Sequence, residues 1–184
     1  MTDHSLDLSK LELNSLDGLL EIPGMESIEE IDLSDNQLTS IPKDSFYGLI
    51  QLKVLDLSNN NITKLEPLAF NTLEYLKKLS LDNNKLTRID IAFFRLRSLQ
   101  KLYLINNAIT HIRPYAFRDQ NNLTQLWLDN NKLTSISPES FKKNEDTVGL
   151  QNLKLLSLEG NSLNFTEDQE KEIEDLFPKA QVIF

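Results

Sequence analysis

The chain has 184 residues, the usual size of a single domain, and its 40% hydrophobic and 26% charged residues form an ordinary globular balance rather than a disordered one. No apolar run reaches the ~18 residues that a membrane span requires. With no cysteine there is no disulfide, thiol nucleophile or thiolate metal site, and a net charge of −9 argues against nucleic acid as the main partner.

The N-terminus, MTDHSLDLSK, lacks the basic start and apolar stretch of a secretion signal. Together with the missing cysteines this favours a reducing compartment. Ten acids (Asp3, Asp7, Glu12, Asp17, Glu21, Glu26, Glu29, Glu30, Asp32, Asp35) precede Asn36, against one base, Lys10. Between Lys77 and Arg118 the balance reverses, with nine Lys or Arg against Asp82 and Asp90. Most of these charges read as solvated faces, and the asymmetry as a means of orienting a charged partner.

From Ile28, Leu52, Leu76, Leu99, Leu123 and Leu153 the chain repeats itself: IEEIDLSDNQL, LKVLDLSNNNI, LKKLSLDNNKL, LQKLYLINNAI, LTQLWLDNNKL and LKLLSLEGNSL. The ninth positions are Asn36, Asn60, Asn84, Asn107, Asn131 and Asn161, spaced by 24, 24, 23, 24 and 30 residues. A degenerate unit, LDLSKLEL, precedes them, with Leu11 where Asn is expected. The Leu-x-Leu core predicts a short strand with its leucines inward and its intervening residues outward. The Asn predicts a sharp turn whose unpaired backbone groups a buried amide can satisfy. Ile41, Leu65, Ile89, Ile112 and Ile136, then Phe46, Phe70, Phe93, Phe117 and Phe141, form a second apolar spine. Pro42, Pro67, Pro114 and Pro138 favour an irregular, non-sheet return path. No unit can bury its own leucines, so the stack is the core.

Two units depart from register. The third is one residue short between Ile89 and Phe93, and the fifth carries KKNEDTVG between Phe141 and Leu150, expected to form a surface loop. After the last unit, Thr166 with Gln169 predicts a capping box. Ile173, Leu176 and Phe177 share one helical face, Pro178 stops the helix, and AQVIF can add a final strand.

The pattern resembles the leucine-rich repeat family in its roughly 24-residue form, LxxLxLxxNxLxxIxxxxFxxL, over essentially the whole chain. The resemblance implies an α/β curved solenoid with parallel strands on the concave face, an irregular or short-helical convex side and a C-terminal capping helix. One domain, residues 1–184, is expected: a degenerate repeat over 1–27, six repeats over 28–163 and a cap over 164–184. The cap looks like that of cytoplasmic relatives, whereas extracellular animal relatives are commonly capped by cysteine clusters. The resemblance is therefore to bacterial or intracellular members, including effectors delivered into host cells.

In such a fold the outward residues form rows. The middle row is Asp7, Asp32, Asp56, Ser80, Tyr103, Trp127 and Ser157; two residues later come Ser9, Ser34, Ser58, Asp82, Ile105, Asp129 and Glu159. Two residues earlier lie Ser5, Glu30, Val54, Lys78, Lys101, Gln125 and Leu155. Tyr103, Ile105 and Trp127 read as water-facing anchors, because exposed aromatic clusters rimmed by polar groups mark interaction sites. Lys78, Lys101, Gln125, Asp82 and Asp129 form their rim, and Asp32 and Asp56 an acidic zone that steers a basic segment. Leu155 reads as an isolated apolar residue.

Other motifs carry less. His4 and His111 fall in different units and form no metal site, with His111 expected in an exposed turn. The paired acids lack a pocket to shift a pKa or the oxygens that calcium prefers. There is no glycine-rich phosphate loop, and the glycosylation triplets at Asn61, Asn122 and Asn164 read as accidental without a secretion signal, the first arising from the repeat's Thr after the turn. Arg88, Arg95, Arg97 and Arg113 do not line one groove. The expectation is a monomeric, non-catalytic module without cofactor, binding a protein partner in the cytoplasm or inside a host cell. The alternatives are a fragment of a receptor-type ectodomain and the recognition domain of a larger enzyme.

Overall fold

The structure, a computed structural model, describes residues 4–184; residues 1–3, Asp3 among them, lie outside the described residues. Each Leu-x-Leu or Ile-x-Leu core starts with a three-residue strand: β1 (Ser5–Asp7), β2 (Glu30–Asp32), β3 (Val54–Asp56), β4 (Lys78–Ser80), β5 (Lys101–Tyr103), β6 (Gln125–Trp127) and β7 (Leu155–Ser157). The AQVIF segment supplies β8 (Gln181–Ile183). All eight pair in parallel, in chain order, in one sheet. The central residues Ile31, Leu55, Leu79, Leu102, Leu126 and Leu156 are fully enclosed, as are the leucines two positions on.

The turn after each strand explains the asparagine. The residue before it takes a left-handed backbone: Asp35, Asn59, Asn83, Asn106 and Asn130 all have φ between 53° and 55°. Asp and Asn tolerate that region better than other side chains. Gly160 fills the same place in the last unit at φ 71°, where a Cβ would stand 2.2 Å from Asn130 Oδ1. The buried amide then joins two units. Asn84 Nδ2 donates to Leu81 O within its own turn (3.1 Å) and to Leu57 O of the preceding one (2.9 Å), while Oδ1 accepts from Ile62 N–H (2.9 Å). Asn60, Asn107 and Asn131 repeat this pattern. The degenerate first unit has no such amide, and Asn36 Oδ1 serves both Leu11 N–H and Leu13 N–H while Leu11 stays exposed.

On the outer side the five phenylalanines stack with centroids 5.8, 6.3, 6.3 and 6.1 Å apart and planes within 13° of parallel. The return path contains short 3-10 turns at Leu19–Glu21, Met25–Ser27 and Pro138–Phe141. It is not wholly free of sheet, as the prolines had suggested: Ser40–Ile41 pairs with Lys64–Leu65, and Arg88–Ile89 with His111–Ile112. Pro42 comes just after these pairings and Pro67 and Pro114 beyond one further residue, so they cost no ladder bond. His111 accordingly lies in a strand rather than a turn, although its side chain is exposed. The two ladders do not join, and the break falls at the short third unit. Asp44, Leu68 and Tyr115, each two residues before a stacked phenylalanine, have φ of 61°, 65° and 60°, but the third unit has no left-handed residue there. The fifth unit, though of full length, has none either and forms a 3-10 turn instead, while beside the short unit a cleft of about 400 Å³ opens between Leu65 and Ile89.

The insertion is a small antiparallel hairpin, Lys142–Asn144 with Thr147–Val148, rather than a plain loop. Gly149 N–H closes it onto Phe141 O at 2.8 Å. The C-terminal end is sealed by α1 (Glu167–Leu176). Thr166 N–H donates to Gln169 Oε1 at 2.9 Å, and Gln169 N–H donates to Thr166 Oγ1 at 3.3 Å, completing the expected capping box. Ile173 is buried, and Phe177 meets Phe141 edge-on at 5.4 Å, ending the phenylalanine stack. Among the described residues no helix is long and apolar enough to cross a membrane.

Candidate functional site

The strand register aligns the middle row as Asp7, Asp32, Asp56, Ser80, Tyr103, Trp127, Ser157 and Ile183. The row on the N-terminal side of the strands holds Ser5, Glu30, Val54, Lys78, Lys101, Gln125, Leu155 and Gln181. Backbone bonds two residues further on extend the pairing through Ser34, Ser58, Asp82, Ile105, Asp129 and Glu159. Every expected site residue therefore lies on one sheet face. They divide into two zones of different chemistry.

In the acidic zone the carboxylates are not simply solvated. Asp7, Asp32 and Asp56 each accept the backbone N–H of the serine two residues on, at 2.9, 2.8 and 2.9 Å. Each aspartate thus holds its own strand end and keeps one oxygen for other uses. The bonds from Ser9 hold the Asp7 carboxyl below its ordinary pKa. Asp32 and Asp56 are direct neighbours across β2 and β3, and Glu29 pairs with Lys53 at 2.7 Å.

In the second zone Tyr103 and Trp127 stack with centroids 6.3 Å apart and planes 14° from parallel. Trp127 is half-buried, which corrects the expectation that it faces open water. Its Nε1–H is enclosed and has no protein partner. The reason is the neighbours: Tyr103 covers one side, and the sheet continues past Trp127 for two more strands, β7 and β8. Tyr103 and Ile105 are half-buried too. Lys78 Nζ stands 5.6 Å from the centre of the Tyr103 ring, a cation–π distance, while Lys101 is exposed and Gln125 half-buried.

The rim needs a larger correction. Asp129 is buried at 8% exposure rather than lying at the edge. Ser157 donates its hydroxyl to Asp129 Oδ1, and Asp129 Oδ2 is enclosed without a protein partner. Asp82 Oδ1 accepts from Ile105 N–H of the next unit at 2.7 Å. Its carboxyl pKa is raised, chiefly by burial and further by the charges of Asp56 and Asp129, against the lowering effect of the Ile105 bond and Lys78. Burial, with the Asp82 charge, also raises the Tyr103 phenol. Ser157, beyond Trp127 in the same row, was placed there by the sequence pattern but not named as a site residue, and Ile183 beyond it was not placed at all. Reading AQVIF as an eighth member of the row was the available signal, and it also places Leu155 between Gln125 and Gln181. Among the described residues no group of three or more His, Asp or Glu is placed to hold a metal ion.

Family models agree with this geometry. The leucine rich repeat model matches residues 4–62, 26–86 and 50–109, and a model of paired leucine rich repeats matches residues 97–143. No curated protein sequence matches the chain. Among solved structures, a crystal structure of a TLR13–ssRNA13 complex superposes with a TM-score of 0.67 at 25% identity, over 97% of this chain and 28% of that one. The chain therefore spans less than a third of that relative's length.

Proposed function

Because the chain belongs to the leucine-rich repeat family, we propose that it is a non-catalytic recognition module whose concave face binds a protein partner. Tyr103, Ile105 and Trp127 act as anchors, with Lys78, Lys101 and Gln125 at their rim. The observation that carries this reading is the stacked Tyr103–Trp127 pair on a sheet whose neighbouring units there are locked together by the buried amides of Asn107 and Asn131. A rigid aromatic surface loses little freedom on binding, and aromatic residues dominate interface energetics. The Asp32 and Asp56 carboxylates beside it favour a partner with a basic segment. Cytoplasmic placement is part of the proposal and rests on the absence of cysteine. The matched structure does not point to a bacterial effector, and that reading is set aside.

A second reading is favoured by that same structure, which holds a single-stranded RNA. Glu30, Asp32, Asp56, Asp82 and Asp129 on the face oppose a polyanion, which places RNA second. The test is affinity capture with wild type and a Tyr103→Ala/Trp127→Ala double variant shown to be folded, with and without ribonuclease. A protein captured by wild type alone, indifferent to ribonuclease, is the expected result. Partners retained by the variant move the site elsewhere, and ribonuclease-sensitive capture replaces the protein reading with the RNA one.

A further inference from the structure

We propose that Asp82 and Asp129 form a two-point subsite for a basic segment in polyproline II conformation, carrying Arg or Lys at positions i and i+3. The inference rests on the reading of the concave face as protein-binding, and it names the partner chemistry. Asp129 is more than nine-tenths buried, yet Oδ2 has no protein partner. Two residues earlier on the same face, Trp127 Nε1–H is an unpartnered donor. An acceptor and a donor lacking partners, two residues apart on one face, suit an occupant that brings both a cation and a carbonyl. Both atoms are enclosed, and Trp127 is only half-buried, so the subsite requires the indole to rotate as the occupant enters.

The spacing selects the conformation of the occupant. Asp82 and Asp129 follow strands β4 and β6, two strands apart, with Ile105 between them. Neighbouring strands lie ~4.8 Å apart, so the two carboxylates start ~9.6 Å apart. A polyproline II helix rises ~3.1 Å per residue with three residues per turn, so side chains at i and i+3 share a face ~9.3 Å apart. Its backbone carbonyls make no internal hydrogen bonds and remain free for Trp127 Nε1–H. Ile105 supplies the apolar floor for the stems of the two basic side chains. The charges of Asp56 and Asp129 also act unfavourably on the desolvated Asp82 carboxylate, and incoming cations offset that cost.

The experiment titrates the full chain with two proline-rich peptides of identical composition, one with arginine at i and i+3 and the other at i and i+2. Trp127 emission reports binding. Equal charge cancels general attraction to an acidic protein. The i, i+3 peptide is expected to bind at least fivefold tighter, and Asp129→Asn and Asp82→Asn each to remove most of that preference, while Asp146→Asn, which removes the same charge from the exposed insertion hairpin, leaves it intact. Asp82→Asn keeps an acceptor for Ile105 N–H, so it separates charge from folding. Equal affinity of the two peptides, or equal losses in all three variants, overturns the inference. If captured proteins still depend on Tyr103 and Trp127, only the subsite falls; if they do not, the binding face itself falls.

Discussion

Replacing Asn107 by alanine tests the idea that the buried amides hold the units together. Asn107 Oδ1 is the acceptor for Leu86 N–H at 3.0 Å, and that N–H has no substitute once the side chain is gone. The carbonyls fare better. Leu81 O retains Asn84 Nδ2 at 3.1 Å, Leu104 O retains Asn131 Nδ2 at 2.9 Å, and Ile105 O retains Asn83 N–H at 2.8 Å. One buried donor is therefore orphaned, at ~1–3 kcal/mol, and the weakened acceptors add ~0.5–1.5 kcal/mol, for a loss of about 1.5–4.5 kcal/mol. Asn107→Asp keeps the acceptor but turns a carboxylate toward three carbonyl oxygens, and is expected to be worse than alanine. Asn161→Ala, at the half-exposed end of the ladder, lets water replace the amide and costs only ~1 kcal/mol. Urea unfolding followed by circular dichroism measures all three, with broadening of the Asn107→Ala transition expected because that cut lies between interior units. A loss below ~1 kcal/mol for Asn107→Ala, or an aspartate tolerated better than alanine, refutes the reasoning.

Trp127 should emit between the fully exposed and fully buried limits and be only partly quenched by acrylamide, because Tyr103 and the sheet beyond it enclose the indole N–H; fully solvent-like emission would contradict that packing. Thr166→Ala removes the capping box of α1 and should cost ~1 kcal/mol in urea unfolding, with Thr166→Ser restoring most of it; an unchanged midpoint would mean the helix does not seal the core. Asp82 has a raised carboxyl pKa, so the folded state favours its protonated form. That contribution is intact below the ordinary value of 3.8 and is lost as pH rises through the raised one. Asp82→Asn should therefore match or exceed wild-type stability at pH 7 and lose that advantage in acid; a pH-independent difference between the two proteins sinks the argument.

Much of the architecture was legible before any coordinates because each unit cannot bury its leucines alone. A period of 23 or 24 residues, an inward Leu-x-Leu and an asparagine at a fixed place already require parallel stacking. The asparagine's own reason was only half legible. Its need for buried partners followed from chemistry, but the left-handed residue before it, which explains Asp35, Asn59 and Gly160, emerged from the backbone. The insertion was placed correctly but read as a loop, since KKNEDTVG carries no strong strand or turn signal apart from its glycine. The rows of the candidate site were legible too, because strand alternation assigns each residue to a face.

The sequence by itself determined which side chains point outward and in what order, since that depends only on the two-residue period of a strand and the repeat of the unit. Tertiary structure decided how deep each of them lies. Trp127 and Asp129 were assigned to the right face, yet their enclosure depends on Tyr103 and Ser157, contacts between residues far apart in the chain. Alternation carries direction but no depth. Burial is a property of the assembled surface, and it is burial that turned an expected rim acid into a partly unpaired carboxylate on the floor of the face.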